Sequence, residues 1–231
     1  VSVPTLANML AERKEEQQLV LVYTAALEKE KEAPVLQDLH ILINHLKLGF
    51  RQMDYELNHE VPFLNAAASV YDGLEILLDD QTAAVRRNAV IARLRKYAGL
   101  EPGFRPLTEI FKERVKHQMG VKDVIYPSRQ HMEVDLSRNT SIIDGVAGLC
   151  KKFNLKGWEE PYQKLKQQIA DYDQWTRDQV LPKARTDFRL PPELYALQLE
   201  HYGIDIQPSE IAKMAHTAFT EIQNEMKPIA A

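Results

Sequence analysis

Apolar residues return at helical spacing through most of this chain, and that periodicity constrains its fold more than any other feature. Leu36, Leu39, Ile43, Leu46 and Phe50 hold one face over residues 34–57. Near the other end, Ile211, Ala215, Phe219, Ile222 and Met226 do the same. Pro208 opens that segment at a position where a helix needs no amide hydrogen. The same reading predicts a helix over 5–30, long or broken at its charged middle, and a segment from Pro62 through 78. Further helices are expected over 83–98 ended by Gly99, 107–119 closed by Gly120, and 137–153 loosened by Gly145 and Gly148. A long polar helix then runs from Trp158 toward Arg185, kinked or ended at Leu181-Pro182, with 193–202 after it. Only residues 121–127 have β character, too few for a sheet. The expected fold is all-α, an irregular array of roughly eight to ten helices. It is read as one helical unit over 1–231, with a candidate sub-boundary at 100–106, where Pro102, Gly103 and Pro106 cluster.

Composition removes several function classes. Glycine, at 9 of 231 residues, is scarce, so collagen-like and low-complexity chains are excluded. Lys and Arg number 29 against 33 Asp and Glu, a net charge of −4. A protein that neutralises phosphates carries a basic excess, so no nucleic-acid partner is expected. No apolar run approaches the ~18 residues of a membrane helix, so no membrane partner is expected. The first residues lack a basic region followed by an apolar block, so no secretory leader is read there. The chain opens with valine rather than methionine, which reads as a start removed or processed. Its single cysteine, Cys150, cannot close an internal disulfide; this fits a reducing compartment, and a cytoplasmic location is expected. Ile142, Ile143, Val146 and Leu149 around it mark a buried thiol that behaves as a small hydrophobe.

Candidate chemistry is sparse. His59-Glu60-Val61-Pro62-Phe63 begins like the zinc motif H-E-x-x-H, but Phe63 stands where the second imidazole must be, and Pro62 argues against an unbroken helix. His40 and His45 are five apart, about 140° around an ideal helix, and cannot share a metal. Glu109, Glu113 and His117 do share a face, which the interleaved Lys112, Arg114 and Lys116 make a solvated one. His201 and Asp205 flank Gly203 and read as part of a turn. Trp158, Tyr162, Tyr172 and Trp175 are spaced for packing on a neighbouring helix. Arg87 falls on the apolar face of Val90, Ile91, Leu94 and Ala98, so a carboxylate partner on another helix is expected. No catalytic, metal-binding or cofactor-binding residue is assigned within the chain.

The last fifty residues carry a specific resemblance. Asp187-Phe188-Arg189-Leu190-Pro191-Pro192-Glu193-Leu194-Tyr195, then Gly203-Ile204-Asp205, then Pro208-Ser209-Glu210-Ile211 and Glu221-Ile222-Gln223-Asn224-Glu225-Met226, are similar to a progression in the bacterial family of unknown function DUF885. Ala92-Arg93-Leu94 and Pro106-Leu107-Thr108-Glu109 resemble its helical N-terminal region. The resemblance implies a longer helical protein related to zinc-dependent peptidases, whose H-E-x-x-H lies downstream of the matched segment. No position here matches those ligands, so zinc is expected only in that downstream part. The chain is then the non-catalytic N-terminal scaffold, or cleft wall, of such a protein. Arg185, Asp187, Arg189 and Tyr195 would lie near a substrate cleft, and the partner would be the catalytic half, with a peptide as substrate. The alternative reading is a self-contained helical module that binds another protein.

Overall fold

The computed structural model describes residues 5–79, 81–204 and 206–230. Among the described residues nine α-helices run in order: α1 Leu6–Leu27, α2 Ala33–His59, α3 Ala66–Leu78, α4 Ala89–Tyr97, α5 Leu107–Met119, α6 Arg129–Lys152, α7 Glu159–Gln179, α8 Pro192–His201 and α9 Pro208–Ala230. Two 3₁₀ turns, Ala84–Asn88 and Leu181–Lys183, precede α4 and follow α7. The described residues contain no β-strand, only isolated bridges joining Glu60 to Ile125 and Ser128 to Arg185. The fold is all-α. Asp205 of the expected turn lies outside the described residues, as do residues 1–4, 80 and 231.

Several boundaries differ from the periodicity. The third helix starts at Ala66 rather than Pro62, because Val61 gives its amide to Ile125 O at 2.9 Å and stays extended. Asn65 then caps the helix, its Oδ1 accepting from Ala68 N at 3.0 Å. Within residues 5–30 a single continuous helix, Leu6–Leu27, runs through the charged middle. The 83–98 segment divides into a 3₁₀ turn and a short α4. The sixth helix starts at Arg129, eight residues before the expected Ser137. Leu181-Pro182 ends α7 as expected, in the 3₁₀ turn.

The chain divides into two compact units, and residues 100–106 lie inside the first. Unit 1 comprises residues 1–18 and 53–188; unit 2 comprises 19–52 and 189–231. Unit 1 holds nearly all the core. One cluster gathers Val70 and Leu74 of α3, Leu94 of α4, Phe111 of α5, Val146 and Cys150 of α6, and Leu165 and Ile169 of α7. The aromatic series packs there: Trp158 meets Tyr162 edge-on at 5.4 Å, and Tyr172 stacks on Trp175 at 5.7 Å. Burial, and to a lesser degree Glu159, pushes the Cys150 thiol up to about 11, so it stays protonated and unreactive at neutral pH. A second cluster gathers Val61, Val115, Met132, Leu136, Val180 and Ala184. Polar ties fix α6 against α7: Asn139 donates to both Asp173 oxygens at 2.9 and 3.0 Å, and Tyr162 donates to Asp144 at 2.9 Å.

Unit 2 is built differently. Ile43 and Leu194 are its only buried hydrophobic residues among those described. Arg51 of α2 donates to both Glu200 oxygens of α8 at 2.7 and 2.8 Å, and the His45 and His201 rings lie 6.0 Å apart. Such exposed pairs position helices but add little stability, roughly 0–1 kcal/mol.

Candidate functional site

In unit 1, the loop between α5 and α6 touches two distant parts of the chain and draws them together. Ile125 N donates to His59 O at 2.7 Å. Two residues later, Arg185 N donates to Pro127 O at 3.1 Å and Arg129 N to Arg185 O at 2.9 Å. Glu60, at the end of α2, therefore lies within electrostatic reach of Arg185. Gln118, only 1% exposed, fixes α5 to the same place by donating from Nε2 to Glu56 O at 2.9 Å. One turn earlier on α5, Arg114 faces Glu56. The cluster thus contains Glu56, His59, Glu60, Arg114 and Arg185.

Burial sets its charge states. Desolvation raises the Glu60 carboxyl above the usual carboxylate range, with Glu56 repulsion added, while Arg185 and His59 pull it back. Desolvation also lowers the Arg114 guanidinium, against the pull of Glu56. A carboxylate with a raised pKa destabilises the fold where it is charged, and the penalty disappears as pH falls below its unfolded-state value. Glu60→Gln is therefore expected to raise stability at pH 7 by ~0.5 kcal/mol after solvent screening. It should also flatten the stability gain that the parent shows on mild acidification. Urea midpoints at pH 7 and pH 4.5 measure both. A loss of stability in the variant would show instead that Glu60 and Arg185 attract strongly enough to outweigh desolvation.

The four residues expected near a cleft divide between the units. Arg185 and Asp187 belong to unit 1, where Arg185 Nη1 donates to Asp187 O at 2.5 Å. Arg189 and Tyr195 belong to unit 2, and both are exposed. Sequence reasoning missed Glu56, Arg114 and Gln118. Gln118 did leave a signal, since it continues the apolar face of Phe111 and Val115. His59 packs its ring on Tyr55 at 5.1 Å, and Phe63 meets His131 at 5.9 Å. Among the described residues, no three His, Cys, Asp or Glu side chains are placed to hold a metal ion. Glu113 of the acidic row pairs with Arg105 at 2.7 Å in solvent.

The basic side chains Arg93, Arg95 and Lys96 at the end of α4 are used within unit 1. Arg95 bonds Glu101 at 2.6 Å and Glu160 at 2.9 Å, Arg93 donates to Gly73 O, and the Lys96 ammonium sits over the Phe104 ring. Arg87 is half-buried, its guanidinium 4.9 Å from the Phe153 ring centroid.

Unit 2 offers a surface of another kind. Along α9, Met214, Phe219, Ile222 and Met226 are 57%, 59%, 55% and 61% exposed. Ile204, Ile206, Ile211, Met214, Ala215 and Ala218 line an adjoining groove of about 450 Å³ with no polar side chain in its wall. No described helix is long and apolar enough to cross a membrane.

No curated protein and no solved structure matches the chain. A family model does, described as a bacterial protein of unknown function, and it covers residues 5–231. With nearly every residue inside that match, from the first turn of α1 through α9, the chain belongs to the bacterial family DUF885.

Proposed function

We propose that this chain is a non-catalytic helical scaffold, and that the apolar face of α9 seats further polypeptide of the same protein. The observation that carries this is the exposed apolar stripe of α9 and the groove beside it. Contiguous exposed apolar patches on soluble proteins seldom exceed ~300–600 Å², and larger ones mark contact surfaces. A stripe spanning most of a 23-residue helix, with an all-apolar groove beside it, is such a surface. A closed polar surface there would instead have favoured the self-contained interaction module. On this reading the peptidase chemistry implied by the family resemblance, its zinc and its peptide substrate belong to other residues. The Arg185 cluster then serves as part of a supporting wall.

Methionine oxidation by dilute peroxide tests the proposal, because Met132 is fully buried and serves as an internal reference. In this chain alone Met214 and Met226 should oxidise at least ~10-fold faster than Met132, following their exposure. In the full gene product both should be protected. Equal rates in the two proteins would overturn the scaffold reading. Protection that appears only on adding a separate protein would support the interaction module in its place.

A further inference from the structure

In unit 2, histidines from two different helices stand together. His45 of α2 and His201 of α8 have ring centroids 6.0 Å apart, with the ring planes tilted by 45°. Both side chains are exposed. Their meeting is held by neighbours. Arg51 of α2 donates to both oxygens of Glu200, the residue before His201, at 2.7 and 2.8 Å, and this two-pronged pair fixes the register of the two helices. Tyr202 packs edge-on against the His201 ring at 5.9 Å and limits its rotation.

The spacing suits one shared ion. An imidazole nitrogen lies ~2.0–2.1 Å from zinc, so two rings on a tetrahedral centre have centroids ~5.2 Å apart, and two rings in trans ~6.4 Å. The observed 6.0 Å falls between these limits. Imidazole suits zinc, copper and nickel, whereas magnesium and calcium take oxygen ligands. The nearby guanidinium of Arg51 is neutralised by Glu200, so a cation meets no net repulsion from it. No third His, Cys, Asp or Glu joins the pair among the described residues, so water completes the coordination. Unit 2 is also where a cross-link has most to add. Ile43 and Leu194 are its only buried hydrophobic residues among those described, and small cores of this kind gain most from a bound metal.

We propose that His45 and His201 together bind one divalent zinc, copper or nickel ion, and that the ion staples α8 to α2. The site is separate from the zinc motif of the family resemblance and independent of what covers α9.

A zinc titration at neutral pH, followed by the histidine Cε1 proton signals in NMR, tests this. The His45 and His201 signals should move together and saturate at one equivalent, with a Kd of ~10–100 µM for two protein ligands. Magnesium should move neither. His45→Asn and His201→Asn should each weaken binding at least ~10-fold with helix ellipticity unchanged, because both positions are exposed. His40→Asn, also exposed on α2, should bind as the parent does. At ten times Kd, zinc should slow amide hydrogen exchange in α8 by ~10-fold, and the slowing should vanish in both variants. The proposal is overturned by signals that do not saturate, or by saturation at other histidines while these two stay unmoved. It is equally overturned if His40→Asn loses as much affinity as His45→Asn, or if bound zinc leaves exchange in α8 unchanged.

Discussion

Leu165→Ala is expected to cost about 3 kcal/mol, whereas the same truncation at Phe219 should cost almost nothing. Leu165 is fully buried where α7 meets the main cluster of unit 1. Removing its branched end gives up transfer free energy and leaves a cavity that a close-packed neighbourhood only partly refills, the situation in which buried leucines lose ~2–5 kcal/mol. Phe219 is the bulkier residue, but it is 59% exposed on α9 and makes little burial to forfeit. Alanine is also the better helix former there. Both tryptophans, Trp158 and Trp175, lie in unit 1. A fluorescence-monitored urea transition should therefore move to much lower denaturant for Leu165→Ala and stay in place for Phe219→Ala. A comparable shift in both would mean that α9 is buried in solution, against the exposure on which the scaffold reading depends.

The second large effect is expected at Gly99. Two helices end in the same way. After α4, Gly99 N donates to Lys96 O at 3.1 Å and Leu100 N to Arg95 O at 2.9 Å; after α8, Gly203 N donates to Glu200 O and Ile204 N to Leu199 O, both at 2.9 Å. Each is a Schellman cap whose glycine is left-handed, at φ +69° and +71°. Their surroundings differ. A Cβ on Gly99 would stand 2.6 Å from Pro106 Cδ and 2.8 Å from Pro106 N, while one on Gly203 would meet nothing within 4 Å. Gly203→Ala should cost only the left-handed strain, about 1 kcal/mol. Gly99→Ala adds a clash with a ring and a backbone atom that cannot rotate away, for a total of ~3 kcal/mol. The tryptophan-monitored transition reads the Gly99 variant directly, and helix ellipticity reads the Gly203 variant. Equal small losses would show that the loop carrying Pro106 yields.

The helices were legible because a 3.6-residue period survives in most of them, and their boundaries failed for specific reasons. The buried face of α6 runs Met132, Leu136, Asn139, Ile143, Val146 and Cys150. Asn139 interrupts the apolar stripe, because its partner Asp173 comes from α7, so the first turns read as polar loop. Pro62 suggested a helix start, but the amide of Val61 is spent on Ile125, a pairing set by a loop sixty residues away. The Glu60–Arg185 cluster had no local signal, since three segments build it and backbone bonds to the 121–128 loop align them. The amphipathic C-terminal helix was legible down to its apolar residues, because its face follows the local period alone.

The interleaving of the two units has a consequence for synthesis. Residues 19–52 leave the ribosome well before the segment that completes their unit, which begins only at 189. At ~5–20 residues per second, the helices of that first segment wait on the order of ten seconds for α8 and α9. During that interval Leu21, Val22, Ile41 and Leu42 have no finished unit to join, and even afterwards they stay largely open to solvent. A nascent-chain chaperone would find its longest-lived target there, rather than in the larger unit, whose second segment is contiguous from 53 to 188.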